Sequence, residues 1–191
     1  GSGTGADTVA SGTAGWDSLV FGNPELGADR SFDYDDLYVC DGSGGVEDDF
    51  LGDHRVVCVV ASSGNGSNTD WTTSTGSDHG ALVDETTPNT SDYVASQTLN
   101  DIDTFNFAAL GVSGTVKAVQ TVNYVNAQVA GVRDVATVSY ISATNYTDSV
   151  DHTLGSDWTY IRSIMRQSPA TSTAWTTSEI DGAEFGLKVT A

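Results

Sequence analysis

Basic residues are the scarcest feature of this chain: seven Lys and Arg stand against 26 Asp and Glu, giving a net charge of -19. Such a surface repels phosphate backbones, which argues against nucleic acid as a partner. Long hydrophobic runs are missing too. The best one, residues 55–61 (RVVCVVA), is about a third of the ~20 residues a membrane helix needs, so no membrane span is expected. Cysteine is limited to Cys40 and Cys58. Without a CxxC spacing or a paired histidine they do not complete a four-ligand zinc site. Each sits in a β-like run, LYVC and RVVCVV. Two readings stay open: a disulfide, if adjacent strands bring the Cα atoms within ~7 Å, or two buried thiols acting as small hydrophobes. The opening GSGTGADTVASGTAG has no basic n-region, no apolar h-region and no Met. It reads as the start of a processed chain or of a segment inside a longer gene product, not as a secretory leader.

What is present points to a folded domain. Only 17% of residues are charged while 38% are hydrophobic, which is not the composition of a disordered polyelectrolyte. A length of 191 residues suits one domain with a core, or one domain plus an extended arm. The acidic, lysine-poor surface also favours solubility in salty water.

The pattern is almost entirely β. Runs rich in Val, Thr, Tyr and Ile, bounded by Gly, Asn, Asp and Ser, predict strands near residues 18–21, 31–40, 55–61, 91–96, 101–107, 116–127, 136–143, 148–153, 158–165 and 184–189. Their spacing suits an antiparallel β-sandwich, jelly-roll-like in character. In VKAVQTVNYVNAQVA, residues Val116, Ala118, Gln120 and Val122 alternate with Lys117, Val119, Thr121 and Asn123, and a bulge near 122–125 is expected to switch the buried face. One short helix is expected in AWTTSEIDGAEF: Thr176 or Thr177 caps it, Glu179 favours its N-terminus and Gly182 ends it. It should plug one end of the sandwich. The expected organisation is a flexible Gly/Ser/Thr arm over 1–15, N-terminal strands and an acidic turn over 16–49, and the β-sandwich domain over 50–191. The polar stretch 62–90, anchored only by Trp71, Ala81, Leu82 and Val83, reads as a long surface loop or a pair of hairpins.

Few residues point to chemistry. The stretch FDYDDLYVCDGSGGVEDDFLGD offers oxygen ligands from Asp33, Asp35, Asp41, Glu47 and Asp48, which makes calcium the one cofactor to weigh. The stretch does not follow an EF-hand loop, and the plainer reading is a solvated acidic strand running into a Gly-rich turn. His54, His79 and His152 have no GxSxG-type nucleophile motif nearby and read as exposed loop or strand-end residues. Lys117 and the arginines of AGVRDV and YIRSIMRQ read as structural, their stems lying over the sheet. The four tryptophans read as core-edge residues with partners for their indole N–H groups. The sharper alternative is a sugar-stacking platform of Trp71, Tyr93 and Trp175. A hydrolase would need two close carboxylates across a cleft, and no pair stands out.

The segments FDYDDLYVCDGSGGVEDDFLGDHRV, TGSDHGALVDETTPNTSDYVAS, DTFNFAAL followed by GTVKAVQ, and PATSTAWTTSEIDGAEFGLKV together resemble a family of tailed-phage virion proteins. In many of these a concanavalin-like jelly-roll precedes and ends at an F-D-D-x-Y-V strand. The resemblance runs over about residues 31–191. Little of the preceding lectin-like domain remains here, so no sugar-binding residue carries over. What the resemblance implies is a non-enzymatic structural protein of the virion, either capsid decoration or cement, or a head or tail fibre component. Its partners would be other virion proteins and copies of itself. The competing class is a carbohydrate-binding module that meets a host-surface glycan through exposed aromatics.

Overall fold

The chain divides into two units, Gly1–His54 and Arg55–Ala191, and the computed structural model describes residues 54–128 and 133–191. The expected arm over 1–15, the strands near 18–21 and 31–40, and Cys40 lie outside the described residues. Cys58 is an exposed free cysteine.

The second unit is built from antiparallel strands, as the sequence pattern requires. In chain order they are β1 (Thr72–Thr73), β2 (Val94–Ala95), β3 (Ile102–Phe105), β4 (Val119–Val125), β5 (Arg133–Ile141), β6 (Thr144–Leu154), β7 (Thr159–Met165) and β8 (Glu184–Val189), with the helix α1 (Thr177–Asp181) between β7 and β8. A four-stranded sheet runs β3-β8-β5-β6, β4 pairs with β7, and β1 pairs with β2. The inner face of the β4–β7 ribbon lies over β5. Thr121 and Ser163 on the ribbon meet Thr137 on β5 at 3.5 and 3.0 Å, respectively.

Position in the sheet explains the composition of each strand. β5 is central and reads VATVS over residues that are all buried, because small and β-branched side chains point to both faces of a strand covered on both sides. β6 is an edge strand carrying Asp148 and Asp151, and its register against β5 slips between Ala136 and Val138. Charge and irregularity on an edge discourage further pairing. The two strands join through Ser142 and Ala143, both at positive φ (49° and 63°). This is the mirror-image turn that matches strand twist, held here without glycine.

The expected bulge near 122–125 is not found: β4 pairs with β7 without interruption from Val119↔Met165 to Val125↔Thr159. The irregularity lies between β5 and β6 instead. The odd-numbered face of β4 turns inward, with Val119 and Val125 each packed on a core cluster. The strand expected at 55–61 is also displaced. Residues 55–60 form no strand and are exposed, Val56 to 87%. Pairing begins at Ala61, which bridges Phe107, and continues irregularly through Thr69, opposite Asp103. Residues 61–70 thus occupy the open edge of β3.

The core has two apolar clusters. One gathers Ala127, Val135, Leu154, Ile161 and Leu187 with Trp71 and Val125 against it. The other gathers Ile141, Trp175, Ala183 and Phe185 with Val119, Met165 and Ile180 among its neighbours. Along β4, β5 and β7 the positions between these clusters are Thr121, Thr137, Ser139 and Ser163, a polar belt bonded within itself and to His152 and Met165. The helix starts where expected: Thr176 Oγ1 accepts from the Glu179 N–H at 3.1 Å. The Glu179 carboxylate accepts from Ser168 Oγ at 2.5 Å, and Ile180 packs on the second cluster.

Two substitutions test this account. Ala143→Gly relieves a left-handed residue and should raise stability by about 1 kcal/mol, read from denaturant midpoints. Trp175→Ala, at a residue 2% exposed, should cost about 3–5 kcal/mol.

Candidate functional site

Three constellations emerge, two polar and one aromatic. The first holds the long loop to the sheet. Asp78 Oδ1 accepts from the N–H groups of Gly64 (2.7 Å) and Ala81 (3.0 Å), and Asn65 Oδ1 accepts from the His79 N–H at 2.9 Å. These bonds tie the two legs of the loop together. The backbone donors, Ala81 first and then Gly64, hold the Asp78 carboxyl below the usual carboxylate range. His79, thus placed, points into the sheet, where Nδ1 lies 2.8 Å from Oδ2 and 3.1 Å from Oδ1 of Asp103 on β3. Both residues are buried, His79 at 7% and Asp103 at 1% exposure. Burial pushes the Asp103 carboxyl up to about 6, His79 opposes that rise and the charge of Asp70 adds to it.

The second constellation centres on Glu184 at the start of β8. Its Oε2 accepts from the Ser67 N–H (2.7 Å) and Thr104 Oγ1 (2.6 Å), and its Oε1 from Ser67 Oγ (2.6 Å). Asn68 and Asn145 exchange side-chain amide bonds at 3.1 and 3.0 Å. Loop, β3, β8 and β6 are thereby joined by one network whose carboxylate is well supplied with donors.

A histidine oriented by a carboxylate is also the arrangement of a general base, but among the described residues no hydroxyl or thiol is hydrogen-bonded to His79. His152 Nε2 does meet Ser163 Oγ, at 3.3 Å. That serine is 5% exposed and belongs to the polar belt, out of reach of a substrate. The histidines therefore differ from expectation. His54 is exposed, but His79 is buried and His152 half-buried, because each satisfies a polar group inside the fold. Among the described residues no group of three or more His, Cys, Asp or Glu is gathered to hold a metal ion. The calcium candidates Asp33, Asp35, Asp41, Glu47 and Asp48 lie outside the described residues.

The expected stacking trio is not a platform. Trp175 is buried, with its indole N–H donated to the Met165 carbonyl at 3.1 Å and its ring tilted against Phe185. Trp71 is half-buried against the first core cluster and donates to the Asp101 carbonyl at 3.3 Å. Tyr93 is half-buried beside β2. Both tryptophans do what core-edge tryptophans do.

An aromatic row exists elsewhere, on the outward face of the β4–β7 ribbon. Tyr124 lies between Trp158, stacked at 5.1 Å and 20°, and Tyr160, tilted at 4.8 Å. Register places Val122 opposite Arg162 and Gln120 opposite Ile164 on the same face. Val122, Tyr160 and Ile164 are 49%, 50% and 62% exposed. Neither Val119–Val125 nor Thr159–Met165 contains an Asp or Glu. The signal for this face is in the sequence: TYIRSIM carries large apolar side chains at both parities, so a strand with only one face on the core must expose the others.

Comparison with protein-family models, with curated proteins and with solved structures finds no match.

The buried pair sets a pH dependence. A carboxyl raised from 3.8 to about 6 makes the native state bind protons that the unfolded state has released, so stability falls as pH rises through that window. Its contribution is fully present below pH 3.8 and lost above about 6. The melting temperature should rise on acidification from pH 7 to pH 5, and Asp103→Asn should flatten that rise. His79→Ala, which strands Asp103, should cost about 3–5 kcal/mol.

Proposed function

We propose that this chain is a non-enzymatic structural component of a tailed-phage particle, displayed as capsid decoration or cement or built into a head or tail fibre. The observation that carries the reading is the acid-free, apolar outward face of β4–β7 on a chain of net charge -19. Exposed Val122, Tyr160 and Ile164 beside half-buried Tyr124 and Trp158, with one Arg and no carboxylate, make the composition of a contact surface. The acidic remainder keeps the particle exterior soluble and limits aggregation. The His79–Asp103 and Glu184 constellations support the same reading, since both spend their polar groups on fixing a loop to a sheet. The order of segments over about residues 31–191, resembling tailed-phage virion proteins, supplies the particle. Other virion proteins and copies of this chain are then its neighbours, and no nucleic acid or membrane is required.

A second reading, a carbohydrate-binding module, draws on the row Tyr124, Trp158 and Tyr160 rather than on Trp71, Tyr93 and Trp175. Host-surface glycan would be its ligand.

Cryo-electron microscopy of particles containing the chain should place its density in a regular lattice on a capsid or along a tail. A chain found free, with no particle, ends the structural reading. Binding on a glycan array that is lost in Trp158→Ala then supports the second.

A further inference from the structure

We infer that the outer edge of β4 takes up an extended, acid-bearing segment of a neighbouring particle protein, which adds to the β4–β7 ribbon as a third strand. The inference rests on the structural reading and deepens it by naming how that neighbour is held.

The edge strands carry the first part of the argument. An open edge presents backbone N–H and C=O groups to any passing strand, and folded chains guard it with charge, irregularity or a covering segment. Three edges here are guarded. Residues 61–70 lie along β3, β6 carries Asp148 and Asp151 and breaks register against β5, and β7 carries Arg162. β4 has none of these. Its seven residues, VQTVNYV, include no charge and no proline, and none of them is buried. Its pairing with β7 is unbroken. About half of the backbone groups of such a strand point away from its partner, and among the described residues no other backbone bonds to Val119–Val125. An open, regular edge of this length is what strand addition uses.

Charge complementarity sets the chemistry of the added strand. The stretches 104–133 and 158–178, within which β4 and β7 lie, hold four of the chain's seven Lys and Arg and none of its 26 Asp and Glu. Arg162 is exposed and stands in register with Val122. A residue of the added strand opposite Val122 lies two strand spacings from Arg162, about 9.6 Å between Cα atoms, a gap that a guanidinium and a carboxylate side chain close together. On the opposite face of β4, Asn123 Nδ2 is a buried donor without an acceptor, and an oxygen of the added strand supplies one. A second copy fits this edge less well. β4 set against β4 brings Arg162 no carboxylate, and the acid-bearing edge β6 is the one whose register is already broken.

Amide hydrogen exchange and calorimetric titration of the 191-residue chain with a decapeptide of alternating threonine and aspartate test the edge, with the alternating threonine and lysine decapeptide as control. The expected result is new protection confined to Val119–Val125 and a dissociation constant about tenfold or more lower for the aspartate peptide. N-methylation of alternate residues of that peptide should abolish binding, because backbone bonds hold an added strand. Val122→Asp should weaken binding about tenfold or more, and Arg162→Gln should erase the preference for aspartate over lysine. Both side chains are exposed, so the thermal melts of these variants should match that of the parent chain. Protection elsewhere, binding that survives N-methylation, or a lysine peptide bound as well as the aspartate one overturns the inference. Oligomers of the chain alone that Val122→Asp dissolves in sedimentation velocity overturn it in favour of a second copy. A chain that takes no peptide but loses glycan-array binding in Trp158→Ala overturns it in favour of sugar. Peptide binding without particle density leaves this edge standing and removes the virion role; particle density in which β4 gains no third strand does the reverse.

Discussion

The sheet depends on the insertion of β8 between β3 and β5. The last strand of the chain pairs with both, from Ile102↔Lys188 to Phe105↔Phe185 on one side and from Val135↔Val189 to Tyr140↔Glu184 on the other. Gly186 makes the crossing possible, because a Cβ there would collide with the backbone of Asp103 and Thr104. Pairing β3 with β8 joins residues eighty or more positions apart, which costs loop entropy before any contact returns it. Everything else is organised around that closure. Residues 61–70 cap the free edge of β3, and the ribbon β4–β7 covers the face of β5.

The polar groups inside the fold follow from the same arrangement. Bringing β3 against β8 buries Asp103, and a buried carboxylate must be paired or neutralised; the loop supplies His79 for that purpose. Placing β8 also brings Glu184 beside Thr104, and Ser67 arrives with the loop to complete its hydrogen bonds. Between the sheets, the Thr121, Thr137 and Ser163 belt fixes the register of ribbon on sheet by hydrogen bonds that apolar side chains would not provide. A long polar loop with few apolar anchors is thus held by specific bonds where burial alone would not order it.

The outward face of the ribbon is the counterpart of these satisfied groups. A two-stranded ribbon covers the core with one face and leaves the other to solvent or to a neighbour. On this chain that face carries rings, Val122, Ile164 and Arg162 and no acid. The contrast is what turns a folding module into a candidate building block.

Local signals were enough for the strands 101–107, 116–127, 136–143, 158–165 and 184–189, because alternation and β-branched content are properties of short segments. The same holds for the helix, whose cap Thr176 and stop Gly182 act within one turn. The all-β class was legible for that reason. Pairing was not: whether RVVCVV or the polar residues 61–70 would lie beside β3 depends on which backbone reaches that edge first, and no local propensity encodes it. The turn at Ser142 and Ala143 was hidden because neither residue favours positive φ and only the hairpin around them imposes it. Tertiary structure also decided which aromatics are free. Trp175 went to the core, while Tyr160 is exposed and Tyr124 and Trp158 are half-buried on the outward face, since strand parity becomes inside or outside only when a second layer packs on one face. His79 was drawn inward for a like reason: its partner Asp103 is 24 residues away in the chain and becomes its neighbour only when the sheet closes.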